Sequence, residues 1–253
     1  SFYRLTPQLV LLVESEDEVR SIIELAAELA VPLTFRAAGT SLSGQAVTDS
    51  VLVKLGHNGW RDWSLAEDAS TVCCGPALTG AQINRRLARH GRKIGPDPAS
   101  INTAMIGGIA ANNASGMCCG IDQNSYRTLH AIRVVLADGS TLDTGDATSR
   151  NVFRQSHAEF LDALETFGRE TRADAALSER IARKYSIKNT MGYSLNALID
   201  YEDPFDILAH LMIGSEGTLG FISEVTYRTV PDPRHKASAL VFFADIRAAC
   251  DAV

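Results

Sequence analysis

Phe35-Arg36-Ala37-Ala38-Gly39-Thr40-Ser41-Leu42-Ser43-Gly44-Gln45 joins two short apolar runs, Leu33 to Ala37 and Val51 to Leu55, each of which reads as a strand. Glycines and small hydroxyl residues let a backbone fold tightly with its N–H groups turned inward, a concave shape that suits phosphate oxygens. The Ser and Thr hydroxyls add donors. The spacing is neither GxGxxG nor GxxxxGK[ST], no Lys follows Gly44, and a strand rather than a helix comes next. This argues against a Rossmann site or a P-loop. Taken alone, the stretch fits an ordinary tight connection as well as it fits an anion cradle.

Upstream of it, Val10 to Val13 reads as a strand. Ser15 and Glu18 have capping-box spacing, and Val19, Ile22, Ile23, Ala26, Ala27 and Ala30 recur at helical intervals until Pro32 stops the helix. The first 55 residues thus predict a β-α-β-β unit. Downstream, Thr71 to Cys74 predicts a strand, and Thr79 to His90 a helix stopped by Gly91. Ala131 to Leu136 and Ser140 to Asp143 predict a hairpin about Asp138-Gly139. The polar stretch from Asp146 to Lys184 predicts two surface helices. Pro204 to Leu211 predicts a helix with Pro at its first position. Phe221 to Val230 predicts a strand, Ala239 to Phe243 a further strand, and Asp245 to Val253 a helix.

Two more stretches stand out. Gly107-Gly108-Ile109-Ala110-Ala111-Asn112-Asn113-Ala114-Ser115-Gly116 permits close approach of a flat ligand, and equally a tightly packed helix start. Gly214-Ser215-Glu216-Gly217-Thr218-Leu219-Gly220 sets one acid among three glycines before a strand. On its own it favours a constrained turn, with Glu216 accepting from a ligand hydroxyl or capping backbone.

Composition limits the rest. The chain has 253 residues, room for one large domain or two small lobes. A net charge of −6 and the lack of any basic run argue against nucleic acid as the main partner. No apolar stretch approaches the roughly 18 residues of a membrane span. The start, Ser1-Phe2-Tyr3-Arg4, has neither an initiator Met nor a secretory signal, so the chain reads as a piece of a longer, cytoplasmic protein with reduced thiols. The five cysteines match no metal or iron–sulfur spacing, and the six histidines show no HxxxH or HExxH. No residue is assigned as a metal ligand. GxSxG with a strand before and a helix after is not satisfied, which argues against a hydrolase elbow.

Five stretches, in order, resemble the FAD-binding domain of the vanillyl-alcohol oxidase / para-cresol methylhydroxylase superfamily, and within it the flavin-dependent D-2-hydroxyacid dehydrogenases. They are Phe35 to Gln45, Gly95-Pro96-Asp97-Pro98-Ala99-Ser100, Ile106 to Gly116, Lys188-Asn189-Thr190-Met191-Gly192-Tyr193-Ser194-Leu195, and Gly214 to Ile222. The pattern is most similar to large bacterial enzymes that join this module to a substrate domain and an iron–sulfur module and oxidise D-2-hydroxyglutarate or D-lactate.

The resemblance implies an α+β, two-lobed PCMH-type FAD-binding domain. It has a β-α-β-β first lobe over 1–65, an antiparallel-sheet second lobe with helices over 66–235, and the start of a substrate (cap) domain over 236–253. It implies that Arg36, Ala38, Gly39, Thr40, Ser41, Leu42, Ser43, Gly44 and Gln45 wrap the FAD pyrophosphate. Ser100, Gly107, Gly108, Asn112, Ser115 and Gly116 would lie against the ribityl chain and isoalloxazine, with Pro96 in the same cofactor-contacting set. Glu216, Gly217, Gly220 and Ile222 would complete the adenosine and ribityl side. Several relatives attach FAD covalently through a His in or near the first loop. Residues 37–45 contain no His and no Cys, which predicts a noncovalent flavin. No catalytic residue is assigned, and a 4Fe-4S cluster and electron acceptor are expected only outside this chain. The partner is a small 2-hydroxy acid. Other readings stay open: a relative acting on another alcohol, a sugar or a cell-wall precursor, a non-catalytic FAD-binding module, or an enzyme that binds a nucleotide phosphate through the first loop alone.

Overall fold

The computed structural model describes residues 3–56, 58–235, 237 and 239–252. His57 and the last residue of the expected final helix, Val253, lie outside these residues.

The chain opens with β1 (Leu9–Val13), α1 (Glu16–Glu28), β2 (Leu33–Arg36) and β3 (Val51–Leu55). These strands form a sheet in the order β1-β3-β2, parallel throughout, with Leu9 and Leu33 both paired to Val51. Successive parallel strands need a crossover. Helix α1 supplies the first, and the glycine-rich stretch is part of the second. At the start of α1, Ser15 accepts from the Glu18 N–H at 3.3 Å, as expected. The Glu18 carboxylate, however, takes the Glu14 N–H at 2.6 Å, so it secures the residue before the cap and the box is half formed.

A second sheet follows. Its strands are β4 (Trp63–Leu65), β5 (Thr71–Cys74), β6 (Arg92–Ile94), β7 (Leu129–Leu136), β8 (Thr141–Asp143) and β9 (Gly220–Pro231). All pairs are antiparallel, in the order β4-β5-β9-β7-β8, with β6 also pairing to β9. Between β5 and β6 runs α2 (Gly80–Leu87), whose Thr79 and Gln82 form a complete capping box. It continues through a 3-10 turn to Gly91, at φ 65°. Helices α3 (Ile106–Asn112) and α4 (Ser125–Thr128) precede β7.

The polar stretch after β8 forms three helices where two are expected: α5 (Ala147–Ser156), α6 (Ala158–Ala173) and α7 (Ala175–Tyr185). The breaks follow from caps. Asp146 and Asp174 each accept from backbone N–H groups one turn ahead, and His157 leaves helical geometry between α5 and α6. Short α8 (Ala197–Asp200) and α9 (Pro204–Met212), which carries Pro204 in its first turn, lead back to β9. Helix α10 (Ile246–Asp251) is capped by Asp245. The strand expected over Ala239–Phe243 does not form. No described strand lies alongside to complete its ladder, and Leu240, Val241 and Phe242 face solvent.

The larger core packs α2, α3 and α9 on the antiparallel sheet. A smaller one joins the two sheets: Val13, Val19, Ile23, Val53 and Leu55 meet Val135 and Phe221. Phe221 places its ring 5.2 Å from both Phe35 and Trp60. Arg133 on β7 clasps Glu16 on α1 with two 2.7 Å hydrogen bonds. This seam fixes the two sheets beside each other, and the candidate site opens along it.

Candidate cofactor site

A cavity of about 810 Å³ is walled by the stretch after β2, by α3 and the turn that follows it, by residues 188–192, and by the turn leading into β9. That volume suits a large, mostly enclosed ligand. Each wall has a local cause.

The first wall is the loop at Ala38–Ser43. Gly39 sits at φ 69°, where a side chain would also strike the Arg36 guanidinium. Among the described residues, none of the backbone N–H groups from Ala38 to Ser43 donates to a protein acceptor. A run of unspent donors, with the hydroxyls of Thr40 and Ser43, suits an anion, while the Ser41 hydroxyl donates to Gln45. Arg36 supports this loop from within by donating to Ala46 O at 3.3 Å.

Helix α3 forms the second wall. Its first N–H groups are taken by Leu78 O at 2.8 Å and Pro76 O at 3.0 Å, which sets the helix start against the residues after β5. At Gly107 an added Cβ would come within 2.8 Å of the Pro76 side chain, so this close approach requires glycine. Gly108 is different. An added Cβ would meet only Ala37, at an ordinary 3.5 Å. No protein contact explains Gly108, and the cavity lies beside it.

The third wall closes on the second. Gly214 N donates to Ala110 O at 3.1 Å and Glu216 N to Ala111 O at 2.8 Å, so this turn satisfies the end of α3. Glu216 adopts φ 55°, a left-handed conformation that costs a non-glycine residue about 1–2 kcal/mol. Its carboxylate accepts from Asn112 at 2.5 Å and from Gln45 at 3.2 Å, and Gln45 in turn accepts from Ser41. One hydrogen-bonded chain thus connects these three of the four walls. Burial pushes the Glu216 carboxyl above its ordinary range, and the bonds from Asn112 and Gln45 offset part of that rise.

All the residues expected at the cofactor line this cavity except Gly44, Pro96 and Gly116. Gly44 faces the Tyr3 ring, 3.0 Å from where its Cβ would be. Pro96 is buried. Gly116 packs behind the wall on Asp97, where a Cβ would come within 1.8 Å. The cavity also takes in residues that the sequence reading left unassigned: Ala46, Pro76, Pro98, Met105, Phe221, Lys188 and Thr190–Gly192. The last four lie in a stretch that carries the family resemblance, a signal that was present. Pro76 and Met105 arrive through backbone pairing, which leaves no mark in sequence.

The sequence pattern of the FAD binding domain family matches residues 7–145, the first sheet through the end of the β7–β8 hairpin. The chain belongs to this FAD-binding family. The comparison with solved structures agrees on fold. Alkyldihydroxyacetonephosphate synthase superimposes with a TM-score of 0.55 over 89% of this chain and 32% of its own, at 18% identity. D-lactate dehydrogenase of Archaeoglobus fulgidus is 28% identical over 242 residues, covering 94% of this chain and 42% of that protein. D-2-hydroxyglutarate dehydrogenase of Haemophilus influenzae is 26% identical, covering 93% of this chain and 24% of that protein. Glycolate oxidase subunit GlcD of Bacillus subtilis is 25% identical, covering 99% and 43%. The chain therefore spans less than half the length of these relatives.

The residues present fit FAD. The unspent donors of Ala38–Ser43 suit its pyrophosphate, and the single wall carboxylate, Glu216, suits hydroxyl and amine donors. No helix among the described residues is long and apolar enough to cross a membrane.

Proposed function

We propose that this FAD-binding domain serves an oxidoreductase that converts D-2-hydroxy acids, D-2-hydroxyglutarate or D-lactate, into 2-oxo acids and passes the electrons to an iron–sulfur module or another acceptor. The observation that carries the reading is the hydrogen-bonded chain Ser41–Gln45–Glu216–Asn112, which draws the three motif segments around one cavity. The names of the relatives, all acting on 2-hydroxy acids or glycolate, point to the substrate class. The chemistry FAD supplies when bound is acceptance of the hydride that leaves C2 of the substrate, while a base takes the hydroxyl proton.

The chain's own residues bind and orient. Ala38 to Ser43 hold the pyrophosphate through backbone N–H groups and the hydroxyls of Thr40 and Ser43. Ser100, Gly107, Gly108, Asn112 and Ser115 bear on the ribityl chain and ring. Glu216, Gly217, Gly220 and Ile222 bear on the adenosine side. The flavin is noncovalent, since residues 37–45 contain no His or Cys. Yellow colour that stays on the polypeptide after acid denaturation would refute this. We divide the module at 1–65 and 66–235, with 236–253 beginning a substrate domain; the pairing changes from parallel to antiparallel between β3 and β4, which favours a boundary before Trp63 over one after Leu65.

The test is anaerobic reduction of the flavin in the full-length protein by D-2-hydroxyglutarate, D-lactate and glycolate in turn. Bleaching by one of the first two supports the reading, and bleaching by none overturns it. The chain of 253 residues alone is expected to turn nothing over, and substantial 2-hydroxyacid:acceptor activity from it would show that the base lies within it.

A further inference from the structure

Three charged side chains line the cavity: Arg36, Glu216 and Lys188. The protein engages two of them. Arg36 donates to Ala46 O and lies against Gly39, so it braces the loop. Glu216 holds the amides of Gln45 and Asn112. Lys188 is uncommitted. It is exposed, it forms no ion pair among the described residues, and its hydrogen bond to Gly116 O is 3.4 Å long, at the weak end of the range. It enters from the segment after α7, which forms the cavity rim with Thr190, Met191 and Gly192. The pyrophosphate has its own donors in Ala38–Ser43, so the Lys188 ammonium is left for a different anionic group.

We propose that Lys188 supplies the positive charge that favours the reduced, anionic form of the flavin ring over the oxidised, neutral form. This rests on the proposed orientation of FAD, with Ser115 toward the ring. Two electrons and one proton convert the oxidised ring into a monoanion, so reduction adds one negative charge. A nearby cation stabilises that form selectively, and strongly where water is partly excluded. Lys188 therefore tunes the potential of the cofactor while contributing little to its affinity in the oxidised state.

The experiment is a reductive titration with dithionite against a reference dye, on the FAD-loaded full-length protein and its variants. Lys188→Met is expected to weaken reduced FAD relative to oxidised FAD about tenfold, which lowers the two-electron midpoint by about 30 mV. Oxidised-FAD affinity, read by flavin fluorescence, is expected to change little. Lys188→Arg restores the potential. Lys184→Met, which removes a cation from α7 that packs over the Tyr185 ring, leaves it unchanged. Equal midpoints for Lys188→Met and the unmutated protein overturn the proposal, as does an equal loss of affinity for both redox states. If the unmutated protein takes up no FAD, the cofactor-site reading fails first and the Lys188 role falls with it. If FAD is taken up with a midpoint insensitive to residue 188, only the Lys188 role fails.

Discussion

Gln45 and Glu216 stand 171 positions apart in the chain, and the Gln45 amide donates to the Glu216 carboxylate at 3.2 Å. The first belongs to the loop after β2 and the second to the turn before β9. Because Glu216 also takes the Asn112 amide, its removal strands two donors at once. Glu216→Ala is expected to destabilise the chain by about 1–3 kcal/mol. Glu216→Gln keeps an acceptor and removes the charge that burial disfavours. The carboxyl is raised above 4.5 in the fold, so ionising it costs folding free energy that appears as pH rises through the raised value and is absent below the ordinary one. The Gln variant is thus expected to melt at or above the unmutated chain at neutral pH, with that advantage gone below about pH 4. Melting curves at both pH values decide this, and a Gln variant as unstable as Ala would contradict it.

Gly108 offers a test of occupancy. Its added Cβ would meet no protein atom closer than 3.5 Å, and it sits within a helix. Gly108→Ala is expected to stabilise the FAD-free chain by about 0.5–1 kcal/mol. The methyl group enters the cavity and is expected to weaken FAD binding at least tenfold. Opposite signs in a melt and a fluorescence titration are the required outcome.

The clasp between Arg133 and Glu16 joins the two sheets. Arg133 keeps 39% of its side chain exposed, so solvent screening limits the pair to about 0.5–1 kcal/mol despite its two-pronged geometry. Burial acts to raise the Glu16 carboxyl, yet its hydrogen bonds and the nearby arginines together hold it below 4.5. The stabilisation is therefore present above pH 4.5 and fades as pH falls below it. A double-mutant cycle of Glu16→Gln and Arg133→Met at low and high salt checks both size and screening.

Asp138, in the β7–β8 turn, accepts from His157 at 2.8 Å and from the Ser140 hydroxyl at 2.6 Å. Burial alone would raise this carboxyl, but the Ser140 and His157 bonds outweigh it and hold it down at about 2. The contact is expected to persist to pH 4 and to loosen progressively toward pH 2. Amide exchange at Gly139, Ser140 and the start of α6 should speed up in that window. Asp138→Asn should speed it at neutral pH and flatten the acid response.

Periodicity and turn chemistry made most elements legible, from α1 with its Ser15 cap to the hairpin about Gly139. Pairing was less legible. Nothing local in Leu9–Val13 or Leu33–Arg36 says that both flank β3 in parallel. Asp174 divides the outer helices, yet in sequence it looks like any acid on a polar face. Ala239–Phe243 has strand composition, but a strand exists only where a neighbour completes it. At the site, the glycines and Glu216 were visible as motifs. Pro76 was not, because backbone hydrogen bonds from α3 bring it there. The roles of Gly107 and Gly108 also differ: one accommodates the protein and the other adjoins the open cavity.

The central position of β9 sets a timetable for synthesis. Strands β5, β6 and β7 all pair with Gly220–Pro231, which is translated long after them. At about 5–20 residues per second, β5 waits roughly 8–30 s for its partner. During that interval its backbone donors and acceptors form an open edge, exposed to other nascent chains and to chaperones. The cofactor cavity, whose third wall ends in β9, cannot close until that late strand arrives, so flavin capture should be among the last events in the birth of this domain.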